Sequence, residues 1–267
     1  MTVAKTFKLK KENYHSSDAD LRYMSVSQFK SFIACEARTM YELKGQYKAP
    51  DSQALIVGSY VHSAFESPEA FAEVEEKYSD TIYKKRGGKY ADFEQADRMI
   101  ETIKNDRLAM IALDGEPEQM YTGNLYGIDW KIKVDSINHG KRRFSDLKTT
   151  QDLHKRYWSD KYGKFTSFVE AWDYVFQMAI YREIIKQNTG EYYTPYIVAV
   201  TKENPPNKSV LEFDPSRFDF ELEYAEFKIE RIKSVKSEGE KPERCEKCDF
   251  CRRTKQLSNV IEIGDLI

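Results

Sequence analysis

Trp130-Lys131-Ile132-Lys133-Val134-Asp135-Ser136-Ile137, then Asn138-His139-Gly140-Lys141, then Arg143-Phe144-Ser145-Asp146-Leu147-Lys148-Thr149, is the stretch on which the fold turns. The first run alternates apolar and polar for most of its length, the period of a strand with one buried face. Asn138 and Gly140 supply turn conformations ahead of the second short run, so the stretch reads as a β-hairpin. A two-residue turn on His139-Gly140, or a four-residue turn on Asn138 to Lys141, pairs Asp135 with Phe144 in either case. Opposed residues share a face, and period 2 then carries Asp146 and Lys148 onto the face of Asp135. The two carboxylates become diagonal neighbours, roughly 7 Å apart at the backbone, within reach of one cation at about 2.0–2.5 Å per oxygen. Trp130, Ile132, Val134 and Leu147 fall on the opposite face, which is core.

Asp is disfavoured in strands, and two on one face repel unless a positive group stands between them. That group is either a metal ion or simply Lys131, Lys133 or Lys148, and the triplet alone does not choose. Outside the hairpin, Val57, Val61, Ala64 and Phe65 make a helical stripe with His62 and Glu66 one turn apart on a neighbouring face. From Ala171 to Ile185 a second amphipathic helix carries Gln177 and Tyr181 at i, i+4. Both can hydrogen-bond phosphate or base, and both are common on helices without any such role.

Four cysteines complete the candidates: Cys35, and Cys245, Cys248 and Cys251 more than two hundred residues later. With no secretion signal they argue for a metal rather than disulfides, and a C-x2-C-x2-C run lets the chain wrap thiolates round one centre. An iron–sulfur cluster, a zinc ion and free buried thiols all remain open at this point.

In this order the residues resemble the PD-(D/E)XK nuclease superfamily, in particular its RecB, Cas4 and AddB-like branch and the phage exodeoxyribonuclease VIII-like (RecE-type) group. Met24 to Cys35 looks like the family's opening segment, a serine-capped helix ending in cysteine, and Ser25 with Gln28 fits a capping box. Gly58 and His62 match its G…H motif, Asp135 with Asp146 and Lys148 its D…(D/E)-x-K, and Gln177 and Tyr181 its Q-x3-Y. The cysteines resemble the iron–sulfur staple of AddB and Cas4 nucleases. Two departures are an Asp as second carboxylate and a shorter gap before the last cysteine.

The resemblance implies a restriction-endonuclease-like α/β fold: a central mixed β-sheet flanked by helices, with helical additions and a cysteine-rich tail. It implies a DNA exonuclease of phage or prophage recombination or DNA repair, working beside a single-strand annealing or recombination protein. His62, Asp135, Asp146 and the backbone carbonyl of Leu147 would hold Mg2+ or Mn2+. Lys148 would orient or deprotonate the attacking water, which as a base requires a lowered pKa, and Gln177 and Tyr181 would position the strand. Cys35, Cys245, Cys248 and Cys251 would hold a [4Fe-4S] cluster, with zinc as the alternative. Two other classes are a catalytically silent nucleic-acid-binding module of the same fold, and a metal protein whose cysteines are the working site.

The rest of the chain bounds these readings. Its 267 residues suit one substantial α/β domain over 23–267 after a polar segment over 1–22. The 42 basic and 44 acidic side chains leave a net charge of −2, not the excess of a DNA coat protein. Local patches remain: Lys84 to Lys89, Lys141 to Arg143, and the aromatic-basic stretch His154 to Tyr162, which suits a strand-separating or end-gripping loop or a solvated connector. With no long apolar run and no signal peptide, the expected location is the cytoplasm. Helices are expected near 25–44, 53–66, 68–77, 91–113, 167–188 and 216–238. Strands are expected near 119–126, 129–138, 142–149, 195–201 and 208–213, with 151–165 a loop.

Overall fold

A computed structural model describes residues 7–257 and 260–266; the first six residues of the expected polar segment lie outside it. In chain order the elements are α1 (Ser17–Arg22), α2 (Val26–Ala34), α3 (Glu36–Leu43), α4 (Gln53–Glu66), α5 (Pro68–Lys77), α6 (Ser79–Ile82), α7 (Ala91–Lys104) and α8 (Arg107–Ala112). Strands β1 (Glu116–Leu125), β2 (Ile128–Asn138), β3 (Arg143–Thr150), β4 (Tyr157–Ser159) and β5 (Lys164–Thr166) follow. The chain ends with α9 (Phe168–Ala171), α10 (Tyr174–Thr189), β6 (Thr194–Thr201), β7 (Lys208–Glu212), α11 (Arg217–Lys236) and α12 (Asp249–Arg253). Contacts divide the chain into two compact units, Pro50–Glu226 and the union of Met1–Ala49 with Phe227–Ile267. No helix among the described residues is long and apolar enough to cross a membrane.

Three helices expected to be continuous are broken, each at a residue able to cap. Cys35 is extended and its Sγ accepts the Arg38 N–H at 3.5 Å, starting α3 afresh. Asp106 accepts the Ala109 N–H at 2.9 Å and separates α8 from α7. Asp173 takes a left-handed conformation, φ 56°, between α9 and α10. The expected loop after β3 contains the β4–β5 ribbon, whose three-residue strands are too short to show a period.

The larger unit is built on one mixed sheet in the order β1-β2-β3-β6-β7, antiparallel except where β3 runs parallel to β6. Alternation along β3 sends Leu147 to one face, where it packs with Val198 and Val200, with Val57, Tyr60 and Val61 of α4 and with Phe93 and Ile103 of α7. On the other face α10 covers β1, β2 and β6. The turn between β6 and β7 spans the expected Asn204 to Asn207 break, where Thr201 Oγ1 accepts the Asn207 N–H at 2.8 Å.

The hairpin register differs from the expected one. Ile137, not Asp135, pairs with Phe144, because the turn comprises the four residues His139 to Arg142 rather than His139-Gly140 or Asn138 to Lys141, and its left-handed residue is Arg142, φ 48°, rather than Gly140. The two-residue shift preserves parity as far as the ladder runs, and its continuation would set Asp135 across from Asp146; beyond the ladder their side chains are met from opposite faces, Asp135 by His62 of α4 and Asp146 by Gln177 of α10. The ladder stops at Ser136↔Ser145, and beyond it the Asp135 carboxylate accepts the Leu147 N–H at 2.9 Å. A side chain has replaced a ladder bond at the position where the strands part.

The same hairpin anchors α8. The last carbonyls of a helix lack partners, and those of residues 111 to 114 each receive a donor from β2 or β3. Arg143 donates to Ile111, Ser145 Oγ to Ala112 at 2.5 Å, Ser136 Oγ to Leu113 at 2.8 Å and Asn138 Nδ2 to Asp114 at 3.0 Å.

In the other unit Ser25 caps α2 through the Gln28 N–H at 3.2 Å, but the expected capping box does not close. Gln28 is buried and its amide instead donates to Asp20 O at 2.8 Å and accepts from Lys236. Lys236, in the last turn of α11, also donates to the Asp20 and Tyr23 carbonyls, tying α1 and α2 to α11.

Two glycines separate steric need from chain history. A Cβ on Gly115 would lie 2.5 Å from the Ile137 carbonyl oxygen, a backbone atom, so Gly115→Ala is expected to destabilise by about 1–3 kcal/mol. A Cβ on Gly58 meets nothing closer than Thr149 Oγ1 at 3.9 Å, so Gly58→Ala in mid-helix is expected to stabilise by about 0.5–1 kcal/mol. Urea-unfolding midpoints moving in the same direction for both would refute the contrast.

Candidate active site

The parting of β2 and β3 collects charged and polar side chains from five elements. The registers on either side place Glu118 of β1 across from Asp135 of β2, and Asp146 of β3 stands beyond it, a row of carboxylates across neighbouring strands. Each has a cationic companion. His62 Nδ1 of α4 lies 3.1 Å from Asp135 Oδ2, Lys148 Nζ lies 2.5 Å from Asp146 Oδ2, and Lys133 pairs with Glu118. From the other face of the sheet, Gln177 Nε2 of α10 donates to Asp146 Oδ1 at 2.6 Å. The ring of Tyr174 lies 4.8 Å from Lys148 Nζ. His62, Glu66, Glu118, Asp135 and Leu147 line one cavity of about 230 Å3.

The electrostatics follow from burial and this company. Burial alone would raise Asp135, but the charge and hydrogen bond of His62, then Lys148 and the Leu147 N–H, outweigh it and hold the carboxyl at about 2. Asp146 is pushed upward, first by burial and then by the Asp135 charge. Glu118 is raised by burial. Burial works against the charged form of His62 and of Lys148, yet the adjacent carboxylates prevail and raise both. The lowered pKa expected of Lys148 as a base is therefore not what this arrangement produces: two carboxylates hold the amine charged.

Of the sequence candidates, His62, Asp135, Asp146, Lys148 and Gln177 converge. Gln177 binds Asp146, which makes it a positioning residue for that carboxylate. Tyr181, one turn on, sets its ring 6.4 Å from that of Phe144. Glu118 and Tyr174 were missed. Tyr174 was legible as the first member of a Tyr174–Gln177–Tyr181 stripe at helical spacing. Glu118 was not, because nothing in Glu116-Pro117-Glu118 announces a left-handed residue, φ 54°, inside a strand.

Oxygen-rich donors with one imidazole fit Mg2+ or Mn2+ in kind. Asp146 Oδ2 and Glu118 Oε2 are buried and accept no hydrogen bond of good geometry, facing only a lysine ammonium each. His62, Asp135 and Asp146 are not drawn round one point, however. Among the described residues the set of ligand atoms found within 4.8 Å of one another is that of Cys35, Cys245, Cys248 and Cys251.

Those thiols are free, with Cys35 Sγ 3.6 Å and Cys245 Sγ 3.9 Å from Cys251 Sγ. Cys245 Sγ accepts the Cys248 N–H at 3.3 Å and Cys248 Sγ that of Cys251 at 3.5 Å. Burial raises Cys245, but these backbone donors outweigh it and bring the thiol to about 6; Cys251 is driven up to about 12 by burial and its neighbours. Four sulfurs on a tetrahedral ion at about 2.3 Å stand about 3.8 Å apart, close to the spacings found. A cubane carries each thiolate on a different iron and spreads them farther than these thiols stand.

Comparison with known proteins returned related findings. The sequence model of a family described as "PDDEXK-like domain of unknown function (DUF3799)" matches residues 25–254. A crystal structure from Eubacterium rectale, named "Putative exonuclease", is 34% identical, covers 97% of this chain and 98% of its own, and superposes with a TM-score of 0.92. A structure of SSO0001 is 14% identical over 84% of this chain and 91% of its own, with a TM-score of 0.30, which carries no argument. No curated protein matches.

The ion pair at His62 sets a pH dependence in the metal-free protein. Its pKa is raised on folding, so the stability it contributes is full below the unfolded value of about 6.5 and is lost as pH rises through the folded value. Asp135 is depressed, so its share is present above about 3.9 and is lost as pH falls toward about 2. With chelator present, His62→Ala should therefore cost more stability at pH 5.5 than at pH 9, read by urea unfolding. An equal cost at both would contradict the ion pair.

Proposed function

We propose a divalent-metal-dependent deoxyribonuclease activity for this chain, which belongs to the PDDEXK-like family of domains (DUF3799). The observation that carries the proposal is the convergence of His62, Asp135, Asp146, Lys148 and Gln177 where the sheet parts. Exonucleolytic action is favoured by the name of the Eubacterium rectale protein, similar over nearly its whole length. Placement in recombination or repair, beside an annealing protein, rests on motif order alone.

His62, Asp135, Asp146 and the Leu147 carbonyl would hold Mg2+ or Mn2+, with Glu118 as a further carboxylate at the cavity lined by His62, Asp135 and Leu147. A divalent ion there supplies Lewis acidity and neutralises charge developing on the scissile phosphate. The chain's own groups do the rest. Lys148, held charged between carboxylates, places a fixed positive charge beside the phosphate, where it orients water and stabilises the phosphorane. Gln177 fixes the Asp146 carboxylate through Oδ1, while Oδ2 faces the Lys148 ammonium. Asp135 favours the charged imidazolium of His62, and acting as a ligand requires the neutral ring.

For the cysteines we infer one tetrahedral ion, zinc in kind, on the ground of the sulfur spacing. Its role is structural, because it joins Cys35 of the N-terminal segment to the C-terminal run within one compact unit.

Two experiments test these readings. On linear duplexes labelled at the 5′ or 3′ end, with Mg2+ or Mn2+, Asp146→Ala and Lys148→Ala should each lose roughly a hundredfold or more in cleavage rate, and Gln177→Ala roughly 10- to 100-fold with weaker metal binding. Full activity in the first two, or none in the wild type, would overturn the assignment. Purified protein should be colourless and carry one equivalent of zinc that Cys248→Ala loses; the visible absorbance of an iron–sulfur cluster would reverse the second inference.

A further inference from the structure

The β4–β5 ribbon presents its two largest apolar side chains outward. Its register pairs Trp158 with Phe165, whose rings meet edge to face at 5.5 Å and remain 57% and 63% exposed. The other face of the ribbon is the anchored one. Thr166 is buried, and the Tyr157 ring lies 5.5 Å from that of Trp172. A contiguous exposed aromatic patch of this kind marks a binding surface rather than a folding device.

The ribbon is held rigidly, which suits recognition and not a slack connector. In its turn Gly163 adopts φ 62° and donates to Ser159 O at 2.8 Å. Lys161 reaches inward to Asp173 Oδ1 at 3.0 Å and to Glu221, which is 1% exposed and also accepts from Tyr162. The Lys161 ammonium is further packed 4.5 Å from the Tyr224 ring and 5.2 Å from that of Phe176. Trp158 Nε1 donates to Asp160 Oδ1 at 2.8 Å, which fixes the indole plane. Rings ordered before binding lose little entropy on contact.

Position and charge indicate what the rings meet. The ribbon leaves β3 directly after the strand that carries Asp146 and Lys148, and returns through Trp172 to Tyr174, whose ring stands beside Lys148. Lys155, Arg156 and Lys164 are exposed along it, and Arg156 and Lys164 have no carboxylate partner among the described residues. Asp160 is the acidic exception at the turn, engaged by the indole. Aromatic faces interleaved with cations match alternating bases and phosphates. In a closed duplex both faces of every base are already stacked, whereas a strand end with an unpaired base offers a free face.

We propose that Trp158 and Phe165 stack an unpaired base at a DNA strand end, so that the substrate is a strand with a free, unpaired terminus. The proposal rests on the nuclease reading and specifies the form of DNA it acts on. The test uses the full chain in chelator, so that no strand is cut, with 2-aminopurine as the unpaired terminal base of a linear duplex and a closed circular duplex as competitor. Wild type should alter the 2-aminopurine fluorescence and prefer the open end to the circle. Trp158→Ala and Phe165→Ala should each abolish the signal and weaken binding by roughly 5- to 150-fold, with Trp158→Phe restoring most of both. Asp146→Ala should lose cleavage when Mg2+ or Mn2+ is restored yet keep the signal. Unaltered affinity and fluorescence in both alanine variants, in a protein that still cleaves, would overturn the ribbon's role alone. A stacking signal in a wild type that cleaves nothing would instead overturn the nuclease reading.

Discussion

The structure depends on keeping three carboxylates, Glu118, Asp135 and Asp146, side by side across adjacent strands. Partly buried like charges repel, and each must meet a cation or hydrogen-bond donors. The fold supplies these from both faces of the sheet: His62 from α4 on one, Gln177 from α10 on the other, and Lys133 and Lys148 from the strands themselves. Removing these helices from their places would take the imidazole from Asp135 and the amide donor from Asp146. Their placement is thus an electrostatic requirement as well as a hydrophobic one.

A parted sheet would ordinarily strand its backbone donors, and here the carboxylate resolves the problem it creates. Asp135 takes the Leu147 N–H that the ladder has given up, and in doing so gains a hydrogen bond that favours its charged form. Just behind the opening, Ser136, Asn138, Arg143 and Ser145 spend their donors on the end of α8. The hairpin is therefore rigid on one side of the split and open on the other. Rigid support of this kind lets a carboxylate row persist without relaxing away.

Much of the site was legible because strand parity tolerates a two-residue error in the hairpin register, which still brings Asp135 close to Asp146. The expected common face was not: His62 meets Asp135 from the side where Leu147 packs, and Gln177 meets Asp146 from the other. Turn position was not legible: Asn138 and Gly140 attract a reading that Arg142 decides, held left-handed where its carbonyl accepts the Thr194 N–H and its side chain meets Glu191. Helix breaks at Cys35, Asp106 and Asp173 escaped because apolar periodicity continues across them and only a cap or ion pair marks the stop. The protonation of Lys148 escaped for a different reason. Its sign depends on two carboxylates outweighing burial, which no spacing encodes.

The two-residue gaps between the cysteines have a physical counterpart in local geometry. Three times the same contact recurs: the sulfur of Cys35, Cys245 or Cys248 accepts the N–H three residues ahead. In the C-terminal run that third residue is itself the next cysteine, so the two-residue gaps follow from a chain turning tightly enough for each sulfur to meet the following N–H. Such a turn keeps consecutive sulfurs close, and a longer final gap would release Cys251 from it. The short gap that departs from the cluster-binding pattern and the sulfur spacing that suits a single ion are then two expressions of one backbone conformation. Closing it onto Cys35 spans some two hundred residues of chain, where the entropy lost from the unfolded state grows only with the logarithm of loop length, a cost within the binding free energy of one structural ion.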